Sequence, residues 1–500
     1  MPTMPTGEGN PFDEHADEFT PPSAALLSPT EAPDNLAVGR LASLSLGEDT
    51  LVVLGNKTTR SIPLYNVLWA ELAEFDITVH ITIHYARAVS SSVVRPAFVN
   101  YTVDKDNQAK ARLWVEKLLD RAYGASQRQK RIKVLVNPFG GQGGAQKMYT
   151  KDIEPIFAAA RCVVDVEETQ FSGHAVELVA EKLEVDDWDV IACCSGDGVP
   201  HEVFNGLGKR QDAARALQQV AVVQLPCGSG NGMSLNLNGT NSCSMAALAV
   251  VKGLRTPMDL VSITQGDRRT LSFLSQSVGI VAECDLATEN MRWMGGQRFT
   301  YGFLVRIIGQ TIYPCDVAVA VEIEDKASIK QAYAAEAANP PQDGTKKRQS
   351  VMVDNAGLPP LRYGTVNDPL PPGWQLTPYD KMGNFYVGNM AYMSADANFF
   401  QAALPSDGCL DMVTIDGDIA RVTSIKTLLA VEKGTFFDMP HVGYRKVSGY
   451  RIIPKNQKDG YISIDGERVP FEPFQAEVHR GLGTVLSKTG HLYEARGPPQ

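Results

Sequence analysis

Val190-Ile191-Ala192-Cys193-Cys194-Ser195-Gly196-Asp197-Gly198-Val199-Pro200 is an apolar run that ends on a glycine turn and passes into a helix-like segment. The run is short, continuously apolar and bounded by turn residues, which is the pattern of a strand buried on both faces. Two other stretches repeat the arrangement. Residues 134–136 lead into Asn137-Pro138-Phe139-Gly140-Gly141-Gln142-Gly143-Gly144, and residues 220–225 lead into Pro226-Cys227-Gly228-Ser229-Gly230-Asn231. In a parallel sheet, turns that leave the strands line up outside their carboxyl ends. Three glycine turns along one edge supply bare N–H groups at helix starts, where phosphate binds.

Working outward, strands and helices alternate. Residues 134–136, 162–166, 190–194 and 220–225 read as strands. Residues 145–160, 173–183, 200–207 and a segment from Asn231 read as helices. This order predicts a doubly wound, mostly parallel α/β nucleotide-binding domain over residues 130–257. From Pro257 the texture changes to strands with short connections, at residues 260–263, 317–323, 385–387, 412–415 and 450–453. That predicts an antiparallel second domain over residues 258–490, interrupted by a solvated insertion at 326–378. Ahead of both, residues 35–126 combine several strands with one helix at 107–123, whose apolar stripe includes Ala109, Leu113, Val115, Leu118 and Leu119. This is the layout of a small PH-like α+β module. Residues 127–131 read as a polar linker, and residues 1–34, rich in Pro, Thr and Glu, as a disordered tail.

The chain has 500 residues, enough for two or three domains, and its net charge of −10 argues against a general nucleic-acid binder. Eight cysteines without a CxxC pair indicate neither a zinc site nor a disulfide framework, so they read as reduced residues of a cytosolic protein. No apolar stretch approaches the roughly 20 residues of a membrane span, and the amino terminus lacks the pattern of a signal peptide. Any membrane contact is therefore expected to be peripheral.

The first glycine turn is not a Walker loop, because Gly144 is followed by Ala145 and Gln146 instead of Lys and Ser or Thr. Nor does it have the spacing of a dinucleotide fingerprint. Asp197, between two glycines at a strand end, suits the acceptance of a hydroxyl proton or the orientation of Mg²⁺ near a phosphate. Capping a helix is its structural alternative. Ser229 and Asn231 have the chemistry to bond a nucleotide or to cap the next helix. Ser463-Ile464-Asp465-Gly466-Glu467 reads on its own as a hairpin turn.

Together these strings resemble the diacylglycerol-kinase catalytic superfamily: Asn-Pro-x-Gly-Gly, Ser195 to Leu207, Leu-Pro-x-Gly-Ser-Gly-Asn and the late Asp-Gly-Glu. Pro257 to Ser262 and Gly279 to Leu286, running on to Arg292 and Arg298, are similar to the sphingosine, or sphingoid long-chain-base, kinases. The match covers about residues 131–487, and the leading module resembles that of fungal-type members. The resemblance implies a β-sandwich lipid domain after the nucleotide-binding domain, and ATP- and Mg²⁺-dependent phosphorylation of a sphingoid base at its primary hydroxyl. It implies Asp197 as catalytic base. Asn137, Gly141, Thr169, Ser195, Gly196, Gly198, Gly228 and Ser229 would line ATP, Arg292 and Arg298 would grip its phosphates, and Asp465, Gly466 and Glu467 would close the nucleotide site. Asp285, with Ser275 nearby, would meet the amine and hydroxyl of the lipid, and metal ligands are left unassigned. Phe273, Leu274, Val278, Ile280, Phe303, Leu304, Phe399 and Phe400 are candidate walls of a lipid channel or plain core. A cytoplasmic enzyme that visits intracellular membranes is the corresponding expectation.

Ceramide or diacylglycerol kinase is the nearest rival activity, although the cysteine cluster of ceramide kinases is missing here. A catalytically silent lipid- or nucleotide-binding scaffold is the rival of another class.

Overall fold

The computed structural model describes residues 33–55, 58–75, 78–141, 143–287, 302–303, 305, 309, 311–338, 357–457 and 459–499. The expected tail at 1–34 lies almost wholly outside them, as do Arg292, Arg298 and Leu304.

The parallel sheet forms as its apolar runs predict. Strands Val163–Glu168, Arg131–Val136, Val190–Ser195 and Ala221–Pro226 lie side by side in that order, each pair parallel. Alternate side chains serve opposite faces. Val134, Val136, Ala192 and Cys194 pack with Tyr149, Ile153, Phe157 and Val250 on one side. Leu135, Ile191, Cys193 and Val222 pack with Leu178, Val203, Phe204 and Leu217 on the other. A sheet covered twice in this way is why its strands are apolar throughout.

The amino-terminal module consists of a four-stranded antiparallel sheet, a three-stranded one, and the helix Gln108–Tyr123. The buried stripe of that helix runs through Ala111, Trp114, Val115, Leu118, Leu119 and Ala122. Ala109 is exposed and Leu113 only half-buried, because the helix is turned to bring Trp114 into the core. The module shares one continuous apolar core with the first face of the parallel sheet.

The supposed linker is part of that junction. Lys130 is 2% exposed, and its ammonium donates to Ser126 Oγ (3.0 Å), Gln127 O (2.8 Å) and Val251 O (2.7 Å). Lys252 donates to Val67 O and to Ala122 O (3.0 Å) and lies over the ring of Tyr123. Burial, with the Lys130 charge second, holds the Lys252 ammonium down to about 7.

The antiparallel strands predicted for the second half are present, but the boundary at 257/258 is not a break. Leu254–Gln265 and Phe474–Ser487 run through both halves as an antiparallel pair. The first part of Phe474–Ser487 also pairs with Gly443–Pro454, and its far end joins the parallel sheet with Val485 opposite Val222. Hydrogen bonding is thus continuous from one half to the other. The antiparallel strands share a core that includes Val261, Val278, Phe385, Met412, Tyr450 and Ile462.

The predicted insertion also differs from expectation. Lys326–Ala338 is a helix with Ile329 buried. Residues 357–378 are docked: Arg362 and Tyr363 N–H groups both donate to the Glu477 carboxylate at 2.9 Å. Only residues 339–356 of the stretch lie outside the described set. The polar composition hid long-range partners that satisfy its backbone.

Candidate active site

The three glycine turns meet backbone to backbone. A methyl group built on Gly228 would lie 2.1 Å from Gly196 N and 2.2 Å from Gly196 Cα, so no side chain fits there. Gly141, at φ +60, abuts the Cys227 carbonyl. Asp197 N–H donates to Gly230 O (3.1 Å), and Cys227 N–H to Ser195 O (3.2 Å). Asn137 shapes the first turn by accepting Phe139 N–H on Oδ1 at 3.0 Å.

Asp197 begins the helix Gly198–Gly208 but does not cap it. Its Oδ2 accepts Gly232 N–H (2.8 Å) and its Oδ1 accepts Met233 N–H (3.0 Å), at the start of Gly232–Asn238. The sequence suggested an exposed, free carboxylate; here it is half-buried and holds a neighbouring helix. Burial, opposed by those two amides and reinforced by the Asp465 charge, pushes its pKa above the usual carboxylate range. The carboxylate also faces the second half of the chain. Gly232 beside it is in close contact with Leu274 and the Tyr392 carbonyl, and Glu467 Oε1 approaches Gly198.

Asp465 and Gly466 form a two-residue hairpin turn, both at positive φ (54 and 85), between Ile462–Ile464 and Glu467–Val469. The turn reading of this motif is correct. The Asp465 carboxylate is committed inside the protein, which leaves the backbone of the turn and Glu467 to face a nucleotide. Oδ1 accepts from Ser272 Oγ (2.6 Å), Leu274 N (2.9 Å) and Ser275 N (3.0 Å), and Oδ2 from Phe273 N (3.0 Å) and His201 Nδ1 (2.8 Å). One buried carboxylate therefore ties the segment at 272–275 to the helix that follows Asp197.

Burial pulls the His201 imidazole down, but the hydrogen bond and charge of Asp465, with Glu467 and Glu202, outweigh it and raise its pKa. A raised imidazole stabilises the fold fully below its unfolded value of about 6.5, and that contribution fades as pH rises through the folded value. Thermal melts should therefore show the gap between wild type and His201→Gln shrinking from acidic to alkaline pH. A gap constant over that range would refute the charged pair.

Asp285 lies on the helix Ile280–Ala287, half-buried, with its Oδ2 near Gly466 of the hairpin turn. Ser275 is bonded to the Tyr386 hydroxyl, whose pKa is raised by burial and by the Asp285 and Asp465 charges. Asp285, Ser275 and Asp465 are thus brought together as a group. Beside the same helix lies an open, largely apolar pocket. Ile280, Phe303, Phe399, Leu428, Val431 and Phe436 line it, with Asn384, whose buried Oδ1 has no hydrogen-bond partner among the described residues. Phe273, Leu274, Val278 and Phe400 are core residues instead.

Of the remaining expected nucleotide contacts, Gly141 and Ser229 are exposed and Gly196, Gly198 and Gly228 half-buried along the turns. Ser195 and Thr169 face inward: Ser195 Oγ donates to Gly196 O (2.7 Å), and Thr169 N–H donates to Val136 O (2.9 Å). Their side chains brace the strand ends and do not line the cleft. Sequence reasoning missed His201, Asn205 and Gln224. Asn205 clamps Leu271 through N–H and carbonyl, both at 2.9 Å, and the spacing of 197, 201 and 205 on one helix face was the available signal. Gln224 Oε1 accepts Ser234 N–H (2.8 Å) beneath the third turn. Phe139 and Phe171, 73% and 52% exposed, flank loops leaving adjacent strands.

Residues 131–263 match the diacylglycerol kinase catalytic domain model, and residues 34–124 match a domain of unknown function. Sphingoid long chain base kinase 4 of Schizosaccharomyces pombe is 31% identical over 449 residues, covering 89% of this chain and 92% of that protein. The chain belongs to the sphingoid long-chain-base kinase family. Sphingoid long chain base kinase 5 of Saccharomyces cerevisiae is 34% identical over 76% of this chain, which spans 62% of that longer relative. Human sphingosine kinase 1 is 29% identical over 73% of this chain and 92% of its own length. A diacylglycerol kinase crystal structure from Bacillus anthracis superposes on 72% of this chain and 98% of its own, at 18% identity and a TM-score of 0.49. The catalytic-domain match spans all three glycine turns and Asp197.

Proposed function

We propose that the chain transfers the γ-phosphoryl group of ATP to the primary hydroxyl of a sphingoid long-chain base. The observation that carries this reading is the position of Asp197, with the three glycine turns on one side and Leu274, Tyr392 and Glu467 of the second half on the other. The lipid hydroxyl oxygen attacks the γ-phosphorus, its proton passes to the Asp197 carboxylate, and the bond to the β–γ bridging oxygen breaks to release ADP. A carboxylate held above its ordinary pKa is a better proton acceptor, and the two amides from Gly232 and Met233 fix its direction. Phosphoryl transfer otherwise needs positioning and charge neutralisation, which glycine turns at helix starts supply. Phe139 and Phe171 offer flat apolar faces for the base.

Mg²⁺ would neutralise charge on the β- and γ-phosphates when bound with ATP. Among the described residues no group of three or more His, Cys, Asp or Glu is placed to hold a metal by itself. That fits an ion held mainly by phosphates and water with one or two carboxylates, Asp197 and Glu467 being those at the turns. Arg292 and Arg298 remain the proposed phosphate clamp.

Asp285 suits the cationic amine of the base, with the pocket beside its helix for the alkyl chain. Asp285→Asn is expected to raise the sphingoid-base KM by about tenfold to a hundredfold, the worth of a charge-assisted hydrogen bond, with the ATP KM little altered. An unaltered lipid KM would remove Asp285 from this role. The amino-terminal module, with its sheets of four and three strands and closing helix, supports a PH-like reading. Radiolabelled ATP offered with sphinganine, phytosphingosine, ceramide and diacylglycerol in detergent micelles tests the whole reading. Labelled product from the free bases alone is expected, and product only from ceramide or diacylglycerol would overturn it.

A further inference from the structure

The helix Arg421–Lys433 is apolar on two opposite sides. Leu428 and Val431, with Ser424 and Thr427, help line the pocket described above. Val422, Ile425 and Leu429 stand on the other side, spaced three and four residues apart, and are 64%, 40% and 47% exposed. Single exposed apolar residues need no explanation, but a contiguous stripe does. Ile312, 46% exposed, extends it, lying against Gly417 in the turn that leads to the helix.

By helix geometry Lys433 and Glu432 stand next to the stripe, with Lys426 and Arg421 at its two edges, and all four are exposed. A helix of 13 residues is about 20 Å long and lies flat on a surface. We infer that this outer face is the docking surface for an anionic lipid bilayer. Two observations select that occupant. In a chain of net charge −10, this stripe is bordered by three cations, Arg421, Lys426 and Lys433, against one anion, Glu432, an excess that anionic headgroups attract. The inner side of the same helix walls the pocket assigned above to an alkyl chain, and such a substrate resides in a bilayer. The second argument rests on the lipid-kinase reading; the first does not. Docking through Val422, Ile425 and Leu429 places the pocket wall against the membrane, so that a lipid chain enters without crossing water.

Flotation of the full chain with phosphatidylcholine vesicles, with and without phosphatidylserine, tests this. The Ile425→Glu/Leu429→Glu double variant should bind both kinds of vesicle at least tenfold more weakly, because two apolar anchors are lost. Lys426→Gln/Lys433→Gln should weaken binding about fivefold per lysine only where phosphatidylserine is present, and added salt should erase that difference. None of these side chains lines the pocket, so phosphorylation of sphinganine in detergent micelles should be unaltered. Should the glutamate pair prevent folding, Ile425→Ser/Leu429→Ser carries the same test. Wild-type vesicle binding retained by the apolar variants overturns the inference. So does a wild-type dimer that Ile425→Glu dissociates, because the stripe would then be covered by a second copy. Vesicle binding lost in these variants of a protein that phosphorylates no sphingoid base would leave the surface standing and remove the kinase reading alone.

Discussion

Asp197→Asn is expected to lower the turnover number by about 10²- to 10⁴-fold, the usual worth of a positioned general base. Two opposing effects should leave the fold nearly as stable as before. The substitution removes a charge whose desolvation raises the pKa of this carboxylate. It also leaves one of the two amides of Gly232 and Met233 facing an NH₂ group in place of an oxygen, a loss of about 1 kcal/mol. ATP affinity should therefore change little, which separates a chemical role from a structural one. The pH profile carries the same information. Asp197 must be ionised to accept a proton, so kcat/KM should rise with pH through a value above the ordinary aspartate value of about 3.9. A folded variant that turns over at a substantial fraction of the wild-type rate would show that Asp197 serves only to hold the start of Gly232–Asn238.

Gly228→Ala should have the largest effect of any single methyl group in the molecule's phosphate edge. The added carbon would meet the backbone nitrogen and Cα of Gly196 at 2.1 and 2.2 Å, and neither can rotate away as a side chain could. Separating the second and third turns is expected to cost about 3 kcal/mol or more and to abolish ATP binding. Gly140→Ala is the matched control. Its methyl would find nothing nearer than Asn137 Nδ2 at 3.4 Å, an ordinary contact, so melting temperature and ATP binding should be close to wild type. Calorimetric melts and ATP titrations of the two variants compare them directly. Equal behaviour would mean that the turns are not held together as described.

The geometry lets the one carboxylate that holds a helix also take the proposed role of base. Asp197 is fixed from behind by the amino end of Gly232–Asn238, while the helix it begins carries His201 and Asn205 toward the second half of the chain. Asp465 fastens that helix to the segment bearing Ser275, close to Asp285. The glycine turns and the proposed lipid site are therefore locked together by buried hydrogen bonds, which favours a preset distance between them.

Much of the fold was legible because its signals are local. Continuous apolar runs with β-branched residues specify strands buried on both faces, and glycine turns mark where those strands hand over to helices. The alternation of the two specifies a parallel sheet, and its carboxyl edge specifies where phosphate chemistry belongs. Asp197 is found from the same local pattern. What the chain order could not reveal are partnerships whose members lie far apart. His201 meets Asp465 across 264 positions, and Phe474–Ser487 returns to the parallel sheet. Lys130 is buried although its neighbours read as a solvated linker. Thr169 and Ser195 turn inward for the same kind of reason, since the direction of a hydroxyl at a strand end depends on which backbone group is closest. Residue type and spacing dictate which segments form and which chemistry is present. Burial, and hence which charge is shifted, which polar group is spent on structure and which apolar face stays exposed, is decided only when distant segments exclude water from one another.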